Sequence, residues 1–343
     1  MNTLNDYKMI ERRLDSLVRL IGNTPMVAIR YRLGGREATV YAKCEHYNYT
    51  GSIKDRMALH ILREAYRSGR LHPGDRIVEV TSGNTGIAIT ALGRALGHPV
   101  SIIMPDWMSR ERMDIITGLG GEVIRVSREE GGFTGGLRLA DKMAEEDGGI
   151  FLPLQFSNGD NVNAHRATTG PEVWRQLADA GLCPDAFVAG VGTGGTVMGV
   201  GGYLRDKRPE VMVHPLEPQE SPTLSTGYKV GSHRIQGISD DFIPEIVKLN
   251  ELDEVVQVSD GDAILMAQKL SRTFGMAVGI SSGGNLVGAM KLQEKYGHRA
   301  VVATVFADCN KKYLSTDLMR PEPERDHHVT PRVELLDFSF AGR

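Results

Sequence analysis

The chain has 343 residues, 41% hydrophobic and 24% charged, and a formal net charge of −3 at neutral pH. This is the make-up of a globular protein of one large or two ordinary domains. The charge balance, with no basic cluster interleaved with aromatics, leaves no electrostatic footprint for nucleic acid, so the expected partners are small molecules.

Met1 to Leu20 mixes acids and bases without the apolar stretch of a signal peptide, and no apolar run reaches membrane-spanning length. A cytoplasmic location is therefore expected, without membrane association. Cys44, Cys183 and Cys309 are far apart and lack metal-ligand or redox spacing, so they read as free thiols in a reducing compartment. No metal site is expected, His327-His328 included, because companion ligands are missing.

The first segment with chemistry is Thr50-Gly51-Ser52-Ile53-Lys54-Asp55-Arg56. Apolar residues then recur at Ile53, Met57, Ala58, Ile61, Leu62 and Ala65, the period of a helix with a wide buried face. Lys54 heads that face, with Ala58 and Leu62 four and eight residues on. Partial desolvation there favours the neutral amine and makes it a candidate nucleophile; a snorkelling surface lysine is the plainer alternative. Ser52 and Asp55 have the spacing of a capping box.

Short β-branched runs alternate with helical patterns through most of the chain, which predicts an α/β protein with parallel sheets. Strands are predicted at Arg76–Val80, Val100–Met104, Glu122–Val126, Ile150–Leu154, Ala186–Ala189, Val211–Leu216, Val255–Val258 and Ala300–Phe306. Helices are predicted at Ile87–Leu96, Arg110–Thr117, Gly136–Glu146, Pro171–Ala180, Thr196–Lys207, Asp260–Phe274 and Gly284–Tyr296. From Pro321 the composition turns polar, so Pro321–Arg343 reads as an appendage packed on the surface or on a partner.

Three turns stand out. Thr81-Ser82-Gly83-Asn84-Thr85-Gly86 lies between a strand and a helix, where free amides and the helix dipole favour an anion, although Ser, Thr and Asn also serve as plain caps. Gly190-Val191-Gly192-Thr193-Gly194-Gly195-Thr196 is a second such turn, with enough glycine for the backbone to close round a phosphate. Gly279-Ile280-Ser281-Ser282-Gly283-Gly284-Asn285 is the third. Gly190, Gly192 and Gly195 also satisfy G-x-G-x-x-G, and Glu217 follows about twenty residues later, so an NAD-dependent oxidoreductase is a rival. That rival gives no role to Lys54 or to Thr81–Gly86. An amine, a phosphate cradle and a carboxylate cradle together fit a pyridoxal phosphate enzyme acting on an amino acid.

The residues also carry a resemblance. Ile21-Gly22-Asn23-Thr24-Pro25, Gly51 to Arg56, Thr81 to Gly86, Gln155-Phe156-Ser157-Asn158, Thr168-Thr169-Gly170-Pro171-Glu172, Gly192 to Thr196 and Gly279 to Gly283 occur in the order seen in the cysteine synthase and cystathionine β-synthase family. Over roughly Leu17 to Thr316 the chain resembles these fold-type II pyridoxal phosphate enzymes. The resemblance implies two α/β domains, each a mostly parallel twisted sheet flanked by helices, with the cofactor in the cleft between them. It implies a smaller, mobile domain over 45–155, a larger cofactor-anchoring domain over 1–44 plus 156–320, an appendage over 321–343, and a homodimer.

It further implies that Lys54 holds the cofactor covalently and afterwards moves the α-proton. Asn84 would hold the ring oxygen, and Gly192, Thr193, Gly194, Gly195 and Thr196 the phosphate. Thr81, Ser82, Thr85 and Gln155 would hold the substrate carboxylate. Ser281 looks like the hydroxyl that meets the pyridine nitrogen, with Ser282 the adjacent alternative. A neutral hydroxyl there suits β-elimination to an aminoacrylate followed by attack at Cβ.

Two departures from the family pattern matter. Asn48-Tyr49 replaces the usual Asn-Pro, and Ile235-Gln236-Gly237-Ile238-Ser239-Asp240-Asp241-Phe242-Ile243-Pro244 carries two acids where cysteine synthases have small residues. Asp241 lies close to the position of an acid in cystathionine β-synthases. A carboxylate there could repel hydrosulfide and act as general base on water or a thiol, or it could simply face solvent. It also disfavours phosphoserine unless an arginine compensates, and Arg234 is nearby in sequence.

The expected reaction is β-replacement on a serine- or cysteine-type amino acid, foremost the synthesis of cysteine from O-acetylserine and sulfide. The close alternative consumes cysteine, releases sulfide and forms serine or a thioether, with Asp241 as base.

Overall fold

The computed structural model describes residues 4–239 and 241–342. In chain order the principal elements are α1 (Leu4–Val18), β1 (Met26–Leu33), β2 (Arg36–Cys44), α2 (Lys54–Arg67), β3 (Arg76–Val80), α3 (Asn84–Leu96), β4 (Val100–Pro105), α4 (Arg110–Gly118), β5 (Glu122–Val126), α5 (Gly132–Glu146) and β6 (Ile150–Phe151). They continue with α6 (Asp160–Ala164), α7 (Gly170–Asp179), β7 (Ala186–Gly190), α8 (Gly195–Lys207), β8 (Met212–Pro218), α9 (Thr223–Thr226), β9 (Val256–Val258), α10 (Asp260–Phe274), α11 (Ile280–Tyr296), β10 (Val302–Phe306) and β11 (Val333–Ala341). The chain divides into two compact units. One comprises the described residues through Gly22 with Asn48–Asn161; the other comprises Asn23–Tyr47 with the described residues from Val162 onward. Among the described residues no helix is long and apolar enough to cross a membrane.

The first unit holds a four-stranded sheet in the order β5-β4-β3-β6, parallel throughout. Parallel strands joined through helices are covered on both faces and read as near-continuous apolar runs. β4 shows this, with all six residues buried. Val78, Val80, Ile103, Val126 and Ala140 form one core layer, with Leu137 and Met143 of α5 packed against it. By strand alternation Ile77 and Glu79 turn to the opposite face of β3. The predicted strand Ile150–Leu154 stops at Phe151, because Pro153 follows and Leu154 takes a left-handed φ of 54°.

The second unit is built on a seven-stranded sheet in the order β11-β1-β2-β10-β7-β8-β9. Its β2 to β9 part is parallel, while β11, β1 and β2 are antiparallel neighbours. The β1–β2 hairpin was not among the predicted strands; it turns on Gly34-Gly35, whose φ values of 58° and 78° suit a primed hairpin turn. The segment read as an appendage is integrated into this unit: β11 pairs with β1 from Met26↔Ala341 to Leu33↔Val333 and forms an edge of the sheet. The polar stretch before it is tied to α10, where the Asp262 carboxylate accepts from Val329 N at 2.7 Å and Thr330 N at 2.8 Å.

Two of the sequence motifs are structural partners. Lys43, fully buried, pairs with Glu172 at 2.7 Å and donates to Thr24 Oγ1 at 2.7 Å. Glu172 also accepts from Asn23 N at 2.9 Å. Asn23-Thr24 is thereby fastened to the helix opened by Gly170-Pro171-Glu172. An ion pair this deep survives desolvation because further hydrogen bonds satisfy its members.

Candidate active site

In the first unit, Lys54 is half-buried at the first position of α2, and Ala58 and Leu62 beneath it are fully buried. The expected capping box is not formed. Ile53 occupies the cap position without a side-chain cap bond, Ser52 Oγ accepts from Lys54 N at 3.3 Å, and Asp55 reaches back to Thr50 N at 2.8 Å and Thr50 Oγ1 at 2.5 Å. The two acceptors still pin the turn that presents Lys54. Tyr49, just before it, is exposed. α2 packs on α3, whose first residue is Asn84.

The turn after β3 gathers Thr81, Ser82, Asn84 and Thr85, and the fold brings Gln155 to it from the far side of β6. Thr85 Oγ1 donates to Gln155 Oε1 at 2.6 Å, and Gln155 Nε2 donates to Val80 O at 2.8 Å. Thr81 Oγ1 accepts from Gly83 N at 3.1 Å. The four proposed carboxylate ligands thus belong to one cluster. Thr81, Thr85 and Gln155 are buried and Ser82 is half-buried.

Two residues that sequence reasoning missed support this cluster. Arg112 of α4 is buried with its side chain against Gly83. Glu79, 4% exposed, accepts from Val80 N at 2.8 Å and from Gln155 N at 3.4 Å. Burial pushes its carboxyl up to about 8, against the pull of those two amides. A charged residue inside the otherwise apolar run Arg76-Ile77-Val78-Glu79-Val80 was the available signal.

In the second unit, β7 runs into the turn Gly190–Gly195, and α8 starts at Gly195 with no side-chain cap. Gly195 N meets Thr193 Oγ1 at 3.5 Å; the other first-turn amides of such a helix have no intrahelical acceptor and can meet an anion, and the dipole favours a negative charge there. Gly194 has φ +89° and stands against Val247; a Cβ on Gly192 would collide with Gly237 O. A bare backbone is therefore required at both. The hydroxyls of Thr193 and Thr196 flank the turn, and His165 reaches Thr196 Oγ1 at 3.4 Å while its other ring nitrogen meets Thr169 Oγ1 at 2.9 Å. Bare amides and two hydroxyls at a helix start form a donor set that suits a phosphate monoester.

The third turn joins the second, since Asn285 Oδ1 accepts from Gly190 N at 2.8 Å. Ser281 and Ser282 are both buried at the start of α11. Ser282 Oγ accepts from Ala307 N at 2.9 Å and keeps its own O–H to donate, so Ser281 and Ser282 are both candidates for a ring nitrogen.

The acid-bearing segment also lies on the Gly190–Gly195 turn, because Ser239 N donates to Val191 O at 2.7 Å. Asp240 lies outside the described residues. Asp241 is exposed and paired with Lys229 at 2.5 Å. Two further expectations are corrected. The Arg234 guanidinium makes two 2.8 Å bonds to Glu322 and one of 3.2 Å to Asp317, so it is committed to carboxylates and not to a phosphoserine substrate. Glu217, fully buried, accepts from Leu224 N at 2.7 Å, Ser225 Oγ at 2.5 Å and Gln257 Nε2 at 3.0 Å, so it caps the next turn where the oxidoreductase rival needed a ribose ligand.

Comparison with known proteins agrees with this chemistry. Residues 17–308 match the model of the family described as pyridoxal-phosphate dependent enzyme. A probable cysteine synthase of Bacillus subtilis is 40% identical over 87% of this chain and 96% of its own length. A hydrogen sulfide-producing enzyme from Fusobacterium nucleatum is 49% identical, covering 96% of this chain and 100% of that one, with a TM-score of 0.93. An aspartate-to-asparagine variant of that enzyme, solved with an α-aminoacrylate intermediate, is 50% identical over 95% and 98% of the two chains, again with a TM-score of 0.93. The chain belongs to the pyridoxal-phosphate-dependent enzymes of the cysteine synthase type, which use this cofactor for β-replacement on amino acids.

Proposed function

We propose that this enzyme takes cysteine, releases hydrosulfide from Cβ and puts water or a thiol in its place. With water the balance is cysteine plus water to serine plus hydrogen sulfide. The observation that carries the reading is Asp241, a carboxylate beside the segment that rests on the phosphate turn. The likeness to the hydrogen sulfide-producing enzyme, at 49% identity against 40% for the probable cysteine synthase, supports the same direction.

Each residue has a task in this reading. Lys54 Nζ holds the cofactor and afterwards accepts the α-proton of the amino acid. Asn84 and Ser281 hold the ring, and Gly192, Thr193, Gly194, Gly195 and Thr196 the phosphate. Pyridoxal phosphate, when bound, supplies the electron sink that lets the Cα–H bond break. Thr81, Ser82, Thr85 and Gln155 orient the amino acid through its carboxylate. Asp241 takes the proton from the water or thiol that adds at Cβ, and its charge keeps the departing hydrosulfide anion from returning. Lys229, paired with it, holds that charge in place. The working form is read as a homodimer, on the resemblance set out above.

The test is Asp241→Asn. Sulfide release from cysteine should fall by about 10²-fold, within the range of a general base, while cysteine formation from O-acetylserine and sulfide is spared. Unchanged sulfide release from cysteine would remove Asp241 from the reaction. Cysteine synthesis is the second reading, favoured by the 40% identity to the probable cysteine synthase.

A further inference from the structure

Beneath the turn assigned to the substrate carboxylate lies an acid with no place in the reaction just described. Glu79 is on β3, which ends at Val80; Ile77 of β3 and Thr81 just after it both stand against α3, at Gly93 and Gly86, so alternation puts Glu79 on that face too. Its carboxyl oxygens meet Val80 N at 2.8 Å and Gln155 N at 3.4 Å. The Gln155 side chain in turn bonds Val80 O and Thr85, and Asn161 Nδ2 donates to Gln155 O at 2.9 Å. A single buried carboxyl is thus bonded to the backbone of Gln155 and, through the Gln155 side chain, coupled to Thr85, two of the four residues proposed to receive an anion.

We propose that Glu79 is a positioning residue for the amino-acid carboxylate, and that the turn accepts the substrate anion only while Glu79 carries its proton. The inference rests on the reading that Thr81, Ser82, Thr85 and Gln155 bind an α-carboxylate. Ionised, Glu79 would set a second negative charge in a dry site directly under the first, where the repulsion is little screened. Protonated, it keeps the backbone of residue 155 in place and adds no charge.

The surroundings leave its proton to burial. β4 and β6, its sheet neighbours, contain no ionisable residue; α3 contains Arg94, α4 the buried Arg112 that stands against Gly83 of the turn, and the 152–161 segment Asp160; the charges of α5 lie on the side of Val78 and Val80. None of them contributes to the displacement of Glu79, which burial raises to about 8 and the two amides lower. The proton is therefore held at neutral pH and lost in mild alkali.

The experiment is the binding of L-alanine, which has no leaving group at Cβ, to the holoenzyme, followed by the visible absorbance of the cofactor in the wild type and in Glu79→Gln. Taking the ratio of the two dissociation constants cancels the ionisation of the ligand and of the shared site. That ratio, wild type over variant, should rise about tenfold between pH 7 and pH 9, the loss of the protonated fraction of an acid titrating near 8. A ratio constant with pH would overturn the inference and leave the reaction assignment standing. Absence of amino-acid binding by both proteins would overturn both. Should the variant not fold, infrared spectroscopy of the wild type decides: a buried acid carbonyl band that vanishes with a midpoint near pH 8 supports the proposal, and absence of such a band overturns it.

Discussion

The two strand-to-helix turns proposed to hold anions share a plan and differ in material. Both follow a buried parallel strand, and both open a helix of thirteen residues without a side-chain cap. In the second unit the turn is glycine: Gly192 and Gly194 sit where no Cβ fits, and the donors are backbone amides with two threonines. In the first unit the turn is made of side chains tied to one another, with Thr85 on Gln155, Gln155 on Val80, and the Glu79 carboxyl on the backbone amides of Val80 and Gln155. A backbone cradle is rigid and insensitive to pH. The side-chain cradle must exchange bonds to take a ligand, because the Thr85 hydroxyl is already spent on Gln155. On the proposed reading, the second unit retains the cofactor permanently and the first binds the substrate reversibly.

Substitutions can break that division. The largest effect is expected for Lys54→Ala, which should cut turnover by more than about 10⁴-fold, beyond what loss of a general base alone accounts for. The variant should still bind the cofactor through the glycine turn, with an altered visible spectrum; loss of the cofactor altogether would mean that the glycine turn does not retain it. Gly194→Ala comes next. The left-handed φ of +89° and the contact with Val247 should weaken cofactor binding by about 10- to 100-fold, measured by equilibrium dialysis. The Michaelis constant for the amino acid, taken at saturating cofactor, should hardly move.

Thr85→Val is the converse. It leaves Gln155 Oε1 without its donor, at a cost of about 1–3 kcal/mol, and should raise the Michaelis constant for cysteine about tenfold with cofactor affinity unchanged. The smallest effect sharpens the contrast through pH. Because Glu79 holds its proton up to about 8 in the folded state and loses it near the ordinary glutamate value when unfolded, the folded state binds the extra proton between those limits. Stability then falls as pH rises through that window, by about 1 kcal/mol per pH unit. By chemical denaturation, the difference in stability between the wild type and Glu79→Gln should show that slope.

The parallel part of the fold was legible because each buried strand is a short apolar run and each helix repeats at 3.6 residues. Arg76–Val80 and Asp260–Phe274 have the predicted bounds. The antiparallel edge was not. β11 pairs with β1 across some three hundred residues of chain, and local pattern carries no trace of such a partner; the polar stretch before Val333 disguised the strand as a tail. Gly34-Gly35 was a hairpin signal that went unused. At the candidate site, the turns and Lys54 stood out by residue type and spacing. Arg112, His165 and Glu79 did not, since a side chain that works from beneath a turn is marked only by being polar where its neighbours are apolar. Arg234 and Glu217 show the opposite error: each lay at a suggestive spacing, and each is committed to bonds inside the fold.

The central claim concerns the direction of sulfur. The most direct measurement incubates the holoenzyme with cysteine alone, and in parallel with O-acetylserine and sulfide, and identifies the amino acid formed along with the sulfide released or consumed. Sulfide and serine are expected from cysteine, at the higher kcat/KM. Cysteine from O-acetylserine and sulfide, with no sulfide liberated from cysteine, would contradict the claim.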